Sequence, residues 1–538
     1  MMRTIILLTI CLSHFGASAQ TFTDSDIPII VITTQNGAPI VDDPRVVAQM
    51  GVIYNGPGIR NYMTDPFNNY DGRIEIEIRG STSQQYPKKG YALETQDSLG
   101  VNAQIALLGM APENDWILNG PYPDKTLIRN VLTYDLARKM GHYASNTRYC
   151  ELVVNGSYRG VYILMERIKI DNNRVDLKNV HVANQWGDSL TGGYVVKVDK
   201  LTGEVGYSWG SNYDPEVVFQ FHDPEFDEMN SYQATYMEDF IGEFEDVIYG
   251  PQFNDPLLGW PKYIDHTSFH DFFIMQELGR TVDGYRSSSF MYKDKNTFNW
   301  MAKLHAGPMW DFNLSYGNAD YCDADITTGW QYEFDDICNF STEIPFWWEK
   351  LMQDPGYANG LRCRWEELRQ GPLKTSTIHA YIDSVSNYLT EARGRNFQKW
   401  PIIGVYVNWN GFVGQTYQED LDFFKNYIAQ RALWIDNNLP GNCSLAVEPI
   451  EAEPEYHRVW PNPFDTEFNL GFSLFSEGKI TLEIIDLSGR IIQTEHLGFK
   501  SGGTHAVTVN SSKLIVGNYL YTIKLDGFAL YSGKLVKQ

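Results

Sequence analysis

Two aspartates in one stretch, Glu277 to Asn318 (ELGRTVDGYRSSSFMYKDKNTFNWMAKLHAGPMWDFNLSYGN), have the type and spacing to do chemistry. Asp283 and Asp311 flank a segment that starts with Ser289 to Lys293 (SFMYK), which alternates and is β-rich. Asp294 to Asn299 is mostly polar turn chemistry, and Trp300 to Trp310 opens as a second apolar run broken by Gly-Pro. A hairpin between two loops would carry both carboxylates to one end of a small sheet. Such a pair suits one acid that positions a nucleophile and a second that holds a metal. The competing reading is that both are caps or turns, as most loop aspartates are in a chain with 67 acidic residues.

A second candidate is the polar loop Gly80-Ser81-Thr82-Ser83-Gln84-Gln85-Tyr86-Pro87, followed by Lys88 and Lys89. Backbone N–H groups, hydroxyls and a cation in such a loop can hold phosphate. A plain hairpin with solvated lysines is the alternative.

The elements that must position these groups follow from periodicity. Ile27 to Thr33 (IPIIVIT) is a buried-strand pattern, and Asp71 to Arg79 alternates strictly from Arg73, as a half-exposed strand does. The polar loop connects that strand to Tyr91-Ala92-Leu93-Glu94. Thr126 to Met140 has Leu127, Val131, Leu132 and Leu136 at helical spacing, with Gly141 where a C-terminal cap belongs. Arg148 to Val154 and Tyr158 to Met165 are strands joined by the tight turn Asn155-Gly156. Glu166 closes the second of them, and Gly193 to Asp199 is a further alternating strand. Ser268 to Glu277 is helical and leads into Asp283. From there to Pro440 the pattern is mainly helical, as in Phe346 to Met352, Ser376 to Glu391 and Gln418 to Asn437.

Composition limits the partners. A chain of 538 residues is too long for one ordinary core, so two or three domains are expected. Its net charge of −24 leaves no basic face for a nucleic acid polymer or an anionic membrane. The start, MMRTIILLTICLSHFGASAQ, has a basic Arg3, an apolar run Ile5 to Leu12 and the small-residue end Ala17-Ser18-Ala19, which together make residues 1–19 a secretory signal peptide. No later stretch approaches the roughly 18 apolar residues of a transmembrane segment. Without Cys11, five cysteines remain, and an odd count leaves a free thiol or an intermolecular bond. Cys322 and Cys338 flank an acidic loop and are expected to pair. Scattered His and the lack of CxxC spacing give no zinc signal. Residues 441–455 contain the Pro- and Glu-rich run SLAVEPIEAEPE, expected to be a linker. The remainder, 456–538, alternates about every ten residues with Gly turns, among them Leu487-Ser488-Gly489-Arg490, as a small β-sandwich does.

The blocks RGSTSQQYPKKGYALE, RNVLTYDLARKMG…ELVVNGSYRGVYILMERI, GGYVVKVDK and GPMWDFNLSYGN together resemble the CotH kinase family, over roughly Ile27 to Leu439. The tail, with PNPF, ID-x-SG-R and GNYLYTI, is similar to the C-terminal type A sorting domain of the type IX secretion system, which belongs to the Bacteroidetes. The first resemblance implies an α+β fold, an atypical protein-kinase-like two-lobed domain over 20–440 with lobes at about 27–200 and 201–440. The second implies a small all-β immunoglobulin-like sandwich after it. The implied activity is transfer of the ATP γ-phosphoryl group, with Mg2+ or Mn2+, to Ser or Thr of a protein substrate. Ser81 and Ser83 would then lie over the phosphates, Lys89 or Lys88 would contact them, and Glu166 would mark the adenine-side hinge or pair with the lysine. Asp283 would orient the substrate hydroxyl and Asp311 would hold the metal. Export would run through the type IX machinery to the cell surface or beyond. The sequence departs from the family where an Asn usually follows the catalytic Asp, here Ser288, and at Asn313, where a second Asp often stands. A non-catalytic surface-binding pseudokinase is the alternative, and a glycoside hydrolase using the two aspartates is a third reading.

Overall fold

The computed structural model describes residues 22–201, 206–297, 301–338, 342–443, 457–474, 478–486, 490–501, 503–525 and 528–538. The signal peptide, nearly all of the expected linker and the turn residues 487–489 lie outside them.

Seven strands close a barrel at the N-terminal end. They are β1 (Ile29–Thr34), β2 (Val46–Ile53), β3 (Tyr70–Arg79), β4 (Gly90–Gln96), β5 (Asp115–Asn119), β6 (Thr147–Val154) and β7 (Ser157–Glu166). Their order is β1-β2-β3-β4-β5-β7-β6, and parallel pairing of β1 with β6 closes the ring, Ile29 opposite Glu151 and Ile32 opposite Val154. The alternation in β3 now has its reason. Ile74 and Ile76 enter the barrel core with Ile30, Met50, Leu93, Leu152 and Leu164, while Arg73, Glu75 and Glu77 occupy the alternate positions. A period of two puts one face of each strand inside. The Asn155-Gly156 turn has φ of 50° and 75°, as a two-residue hairpin turn requires. Helix α1 (Arg129–Lys139) is inserted between β5 and β6. It is shorter than its apolar spacing suggests, because Leu127 lies outside it with φ 64°.

A second sheet follows, with β8 (Tyr194–Val198), β9 (Ser208–Gly210), β10 (Val218–Asp223), β11 (Ser289–Lys293) and β12 (Leu304–Ala306) in the order β9-β10-β8-β11-β12. The hairpin between the two aspartates is therefore real, with Met291 opposite Ala306. β8 pairs with β10 and β11, so the expected lobe border near residue 200 runs through one hydrogen-bonded sheet. Helices α2 (Ser231–Tyr249) and α3 (His266–Gly279), and then α4 (Trp347–Met352), α5 (Pro355–Gln370), α6 (Thr375–Tyr388), α7 (Thr390–Lys399) and α8 (Tyr417–Asn438), share one large core with this sheet and α1. Side-chain caps start several of them: Asn230 for α2, Asp265 for α3, Asp354 for α5 and Thr416 for α8.

Among the described residues there are two disulfides. Cys322 pairs with Cys338 as expected, and Cys363 of α5 pairs with Cys443 beyond α8. Cys150 is free and buried in the barrel. The C-terminal strands β13 (His457–Trp460), β14 (Glu467–Leu474), β15 (Gly478–Ile485), β16 (Ile491–Lys500), β17 (Gly503–Asn510), β18 (Gly517–Leu525) and β19 (Phe528–Lys537) form sheets β13-β14-β17 and β16-β15-β18-β19. Phe468, Leu470 and Phe472 of the first sheet share a core with Leu482, Ile484 and Ile523 of the second. The chain is thus a mixed α+β body followed by all-β sheets. Among the described residues no helix is long and apolar enough to cross a membrane.

Candidate active site

Asp311 sits in a loop that α1 fixes. The Tyr134 hydroxyl accepts from the Asp311 N–H at 3.3 Å, and the Asn130 side-chain oxygen accepts from the Phe312 N–H at 2.6 Å. Arg129, ion-paired to Asp124 at 2.6 Å, donates to the Ser315 carbonyl at 3.0 Å. This explains the run Arg129-Asn130 to Tyr134: its polar side chains bind a loop nearly two hundred positions away. Asp311 itself has φ 61°, a left-handed conformation that a non-glycine residue keeps only when its surroundings enforce it.

Asp283 lies in the loop after α3, and a buried ion pair anchors that loop. Glu277 pairs with Arg431 of α8 at 3.0 Å, and it accepts from the Tyr285 hydroxyl at 2.9 Å and from the N–H groups of Gln331 and Tyr332 at 2.7 and 3.0 Å. One carboxylate thereby ties together the Asp283 loop, the loop closed by the Cys322–Cys338 disulfide and α8. Arg280 ends α3 in the left-handed region at φ 43° and donates to the carbonyls of Asp323 and Gly329 at 3.1 and 2.7 Å. Gly279 leaves room for its neighbours, since a Cβ would lie 2.9 Å from the Thr281 hydroxyl and 3.1 Å from the Phe312 ring.

These loops bring the two aspartates into one cleft. Asp311 is exposed to solvent by area while protein surrounds it on most sides, which is the condition of a residue on the floor of an open cleft. Desolvation pushes its carboxyl up to about 6, and repulsion from Asp283 and then Asp199 adds to this, opposed by Arg79 and Lys200. Asp283 is also raised by burial, with Arg286 and Lys200 pulling the other way. Arg79 ends β3 beside the Trp310 ring at 5.7 Å, and Lys200 follows β8 and donates to the Thr82 hydroxyl at 3.1 Å. The polar loop is thus fastened across the cleft to the end of β8. Exposed Ser81, Thr82 and Ser83 form its tip, and Gly80 has φ 102° with the Ser83 hydroxyl where a Cβ would stand.

The structure does not bring the remaining predicted residues to the aspartates. Lys88 turns inward: its ammonium donates to the Val161 carbonyl at 2.5 Å and to the Asn396 side-chain oxygen at 2.9 Å, and burial draws it down to about 7. Lys89 donates to the Gln84 carbonyl and faces a cavity at the barrel mouth. Glu166 is buried and accepts from Asn146, through its N–H at 2.9 Å and its amide at 3.0 Å, with Arg174 at 3.6 Å rather than a lysine. None of the three is among the groups that weigh most on the charge of Asp283 or Asp311. Of the cations that are, Arg286 follows Asp283 in its own loop, while Arg79 and Lys200 stand inside the blocks RGSTSQQYPKK and GGYVVKVDK, where which basic residue faces the cleft depends on strand register. Asp199 was equally hidden at the end of its strand.

The site's donor set fits a metal of the kind that binds one or two carboxylates and completes its shell with water and ligand phosphates. Among the described residues no three His, Cys, Asp or Glu side chains converge as a metal cage.

Residues 76–435, well over half of the chain, match the family described as CotH kinase protein. The chain belongs to the CotH kinase family. Residues 458–538 match a secretion system C-terminal sorting domain, which makes this CotH protein a secreted or cell-surface one and implies the type IX machinery as a partner. Membership implies ATP as the nucleotide. No curated protein matches the chain. Among solved structures it is similar to the Helicobacter pylori proinflammatory kinase CtkA, with 10% identity and a TM-score of 0.27 over 62% of this chain and 92% of that one. A second similarity is to the Pseudomonas fluorescens alkylpurine DNA glycosylase AlkC bound to DNA containing an abasic site analog. It has 13% identity and a TM-score of 0.13, over 36% of this chain and 65% of that one. Neither likeness assigns a residue here.

Proposed function

We propose that this CotH protein is a secreted kinase that transfers the γ-phosphoryl group of ATP to a Ser or Thr hydroxyl of a protein. The observation that carries the reading is the cleft itself: two mutually repelling carboxylates, Asp283 and Asp311, faced by Arg79 and Lys200 and covered by the hydroxyl-rich loop 80–86. Phosphoryl transfer needs positioning and charge neutralisation more than covalent chemistry. Arg79, Lys200 and the Ser81, Thr82 and Ser83 hydroxyls would hold the phosphates. Asp311, with the raised carboxyl of a group awaiting a cation, would hold Mg2+ or Mn2+ against them, and the metal would neutralise charge on the transferred group. Asp283 would accept a hydrogen bond from the substrate hydroxyl and orient it. Lys89 acts from beneath the loop through the Gln84 carbonyl.

Ser288, in place of the usual Asn, favours a second reading in which nucleotide binds without transfer. Thermal melting with ATP and either metal, beside radiolabel transfer from γ-labelled ATP to the chain itself and to generic protein acceptors, separates the two. A native-state ligand raises the melting temperature. The kinase reading expects a metal-dependent rise that Asp311→Ala removes, and label transfer that Asp283→Ala removes while the rise persists. A rise without transfer supports the binding protein, and no rise with either metal overturns both.

A further inference from the structure

A cavity of about 190 Å³ opens at the mouth of the barrel, lined by Ile78 of β3, Lys89 and Tyr91 at the start of β4, Arg159 and Tyr162 of β7, and Trp400 after α7, among others. Arg79, Lys200, Asp283 and Asp311 do not line it, so it is separate from the cleft. Its lining has two cations and no Asp or Glu, in a chain of net charge −24. Arg159 owes its place to a β-bulge. The β6–β7 register runs from Leu152 opposite Gly160 to Val153 opposite Tyr158, which leaves Arg159 as the extra residue. Bulges at barrel rims re-aim a side chain in this way. The Arg159 Nε is buried without a hydrogen-bond partner, and among the described residues no carboxylate forms an ion pair with this guanidinium. A guanidinium keeps its charge under all ordinary conditions, and its terminal N–H groups, which are not among the buried atoms and have no hydrogen-bond or ion-pair partner among the described residues, are left to bind an anion. Lys89 uses one ammonium hydrogen on the Gln84 carbonyl and has two more to give. Tyr91 and Tyr162 stack at 6.0 Å, and Trp400 is fixed by donating to the Arg159 carbonyl at 2.8 Å, so the walls are aromatic and held.

We infer that the barrel mouth is a binding site for a small phosphomonoester, with its phosphate on Arg159 and Lys89 and its body against the tyrosines and Trp400. Arg offers phosphate two parallel N–H donors, and a concave, mostly apolar pocket with a few convergent polar groups is the usual form of a small-ligand site. The site is independent of phosphotransfer in the cleft.

Titration calorimetry of the full chain with phenyl phosphate, and with phenol as the uncharged control, tests it. The expected result is binding of phenyl phosphate and none of phenol. Arg159→Gln should weaken binding at least tenfold, and Arg79→Gln, in the cleft, should leave it unchanged. No binding, equal binding of phenol, or a loss in Arg79→Gln with Arg159→Gln unaffected would overturn the inference, the last by placing the anion in the cleft. If Arg159→Gln fails to fold, hydrogen exchange of the unsubstituted chain decides. Protection by phenyl phosphate over residues 87–91 and 154–162 supports the site, and its absence there overturns it.

Discussion

Asp311 has two opposing demands on it at neutral pH, and they give a signed prediction. Its folded carboxyl titrates near 6, above the ordinary 3.8, so between those values the folded protein holds a proton that the unfolded chain has lost. Stability from this group is full below about 4 and is lost as pH rises through about 6. Without ligand, Asp311→Asn should therefore melt higher than the unsubstituted protein at pH 7.5, and the gap should close by pH 4. Melting curves across that range check it, and a gap that widens toward acid would be the wrong sign. A metal needs the ionised form, so the metal-dependent rise with ATP should fade as pH drops below about 6. Lys88 shows the limit of residue-scale reasoning. Its type and its neighbours suit a phosphate, yet its ammonium is consumed by Val161 and Asn396.

At the scale of elements, the cleft depends on how α3 ends. Gly279 lets the Tyr316 N–H reach its carbonyl at 2.6 Å, and Phe312, next to Asp311, packs where a side chain would stand. Gly279→Ala should cost about 1–3 kcal/mol by overpacking, read from denaturant unfolding, and should lower transfer by displacing the Asp311 loop. Glu277 carries more of the structure. Glu277→Ala leaves Arg431 buried without its counter-ion, a loss of about 3–5 kcal/mol for a pair of this kind, and frees the Asp283 loop as well. The expected readout is a large fall in melting temperature together with loss of activity. Several of the strands and helices were legible: SFMYK is β11, Asn155-Gly156 is a hairpin turn, and Ser268 to Glu277 lies within α3. Glu277 was not, because its four partners lie 8 to 154 positions away.

At the scale of the molecule, the Cys363–Cys443 bridge closes an 80-residue separation that spans α5 to the end of α8. In the chain-entropy account a loop of that length gives about 4.5 kcal/mol, and the shorter Cys322–Cys338 loop about 3 kcal/mol. Reduction by dithiothreitol should lower the melting temperature of the kinase-like body. Cys363→Ser with Cys443→Ser should reproduce the larger part of that fall, which melting under oxidising conditions reads directly. Bridges of this kind suit the oxidising destination implied by the sorting domain.

The sequence by itself determined many of the elements, the family and the secretory address, and it singled out Asp283 and Asp311, because periodicity, turn residues and ordered motifs are local properties of a chain. Tertiary structure decided which cations face that pair. Lys88 and Arg79 belong to one motif, but the closing of the barrel turns Lys88 toward β7 and α7, while Arg79 lies where its charge acts on Asp311. Tertiary structure likewise decided that Lys200 spans the cleft to Thr82 and that a bulge sends Arg159 into the barrel mouth. A one-residue change in strand register moves a side chain to the opposite face, and register is set by pairing between strands far apart in sequence.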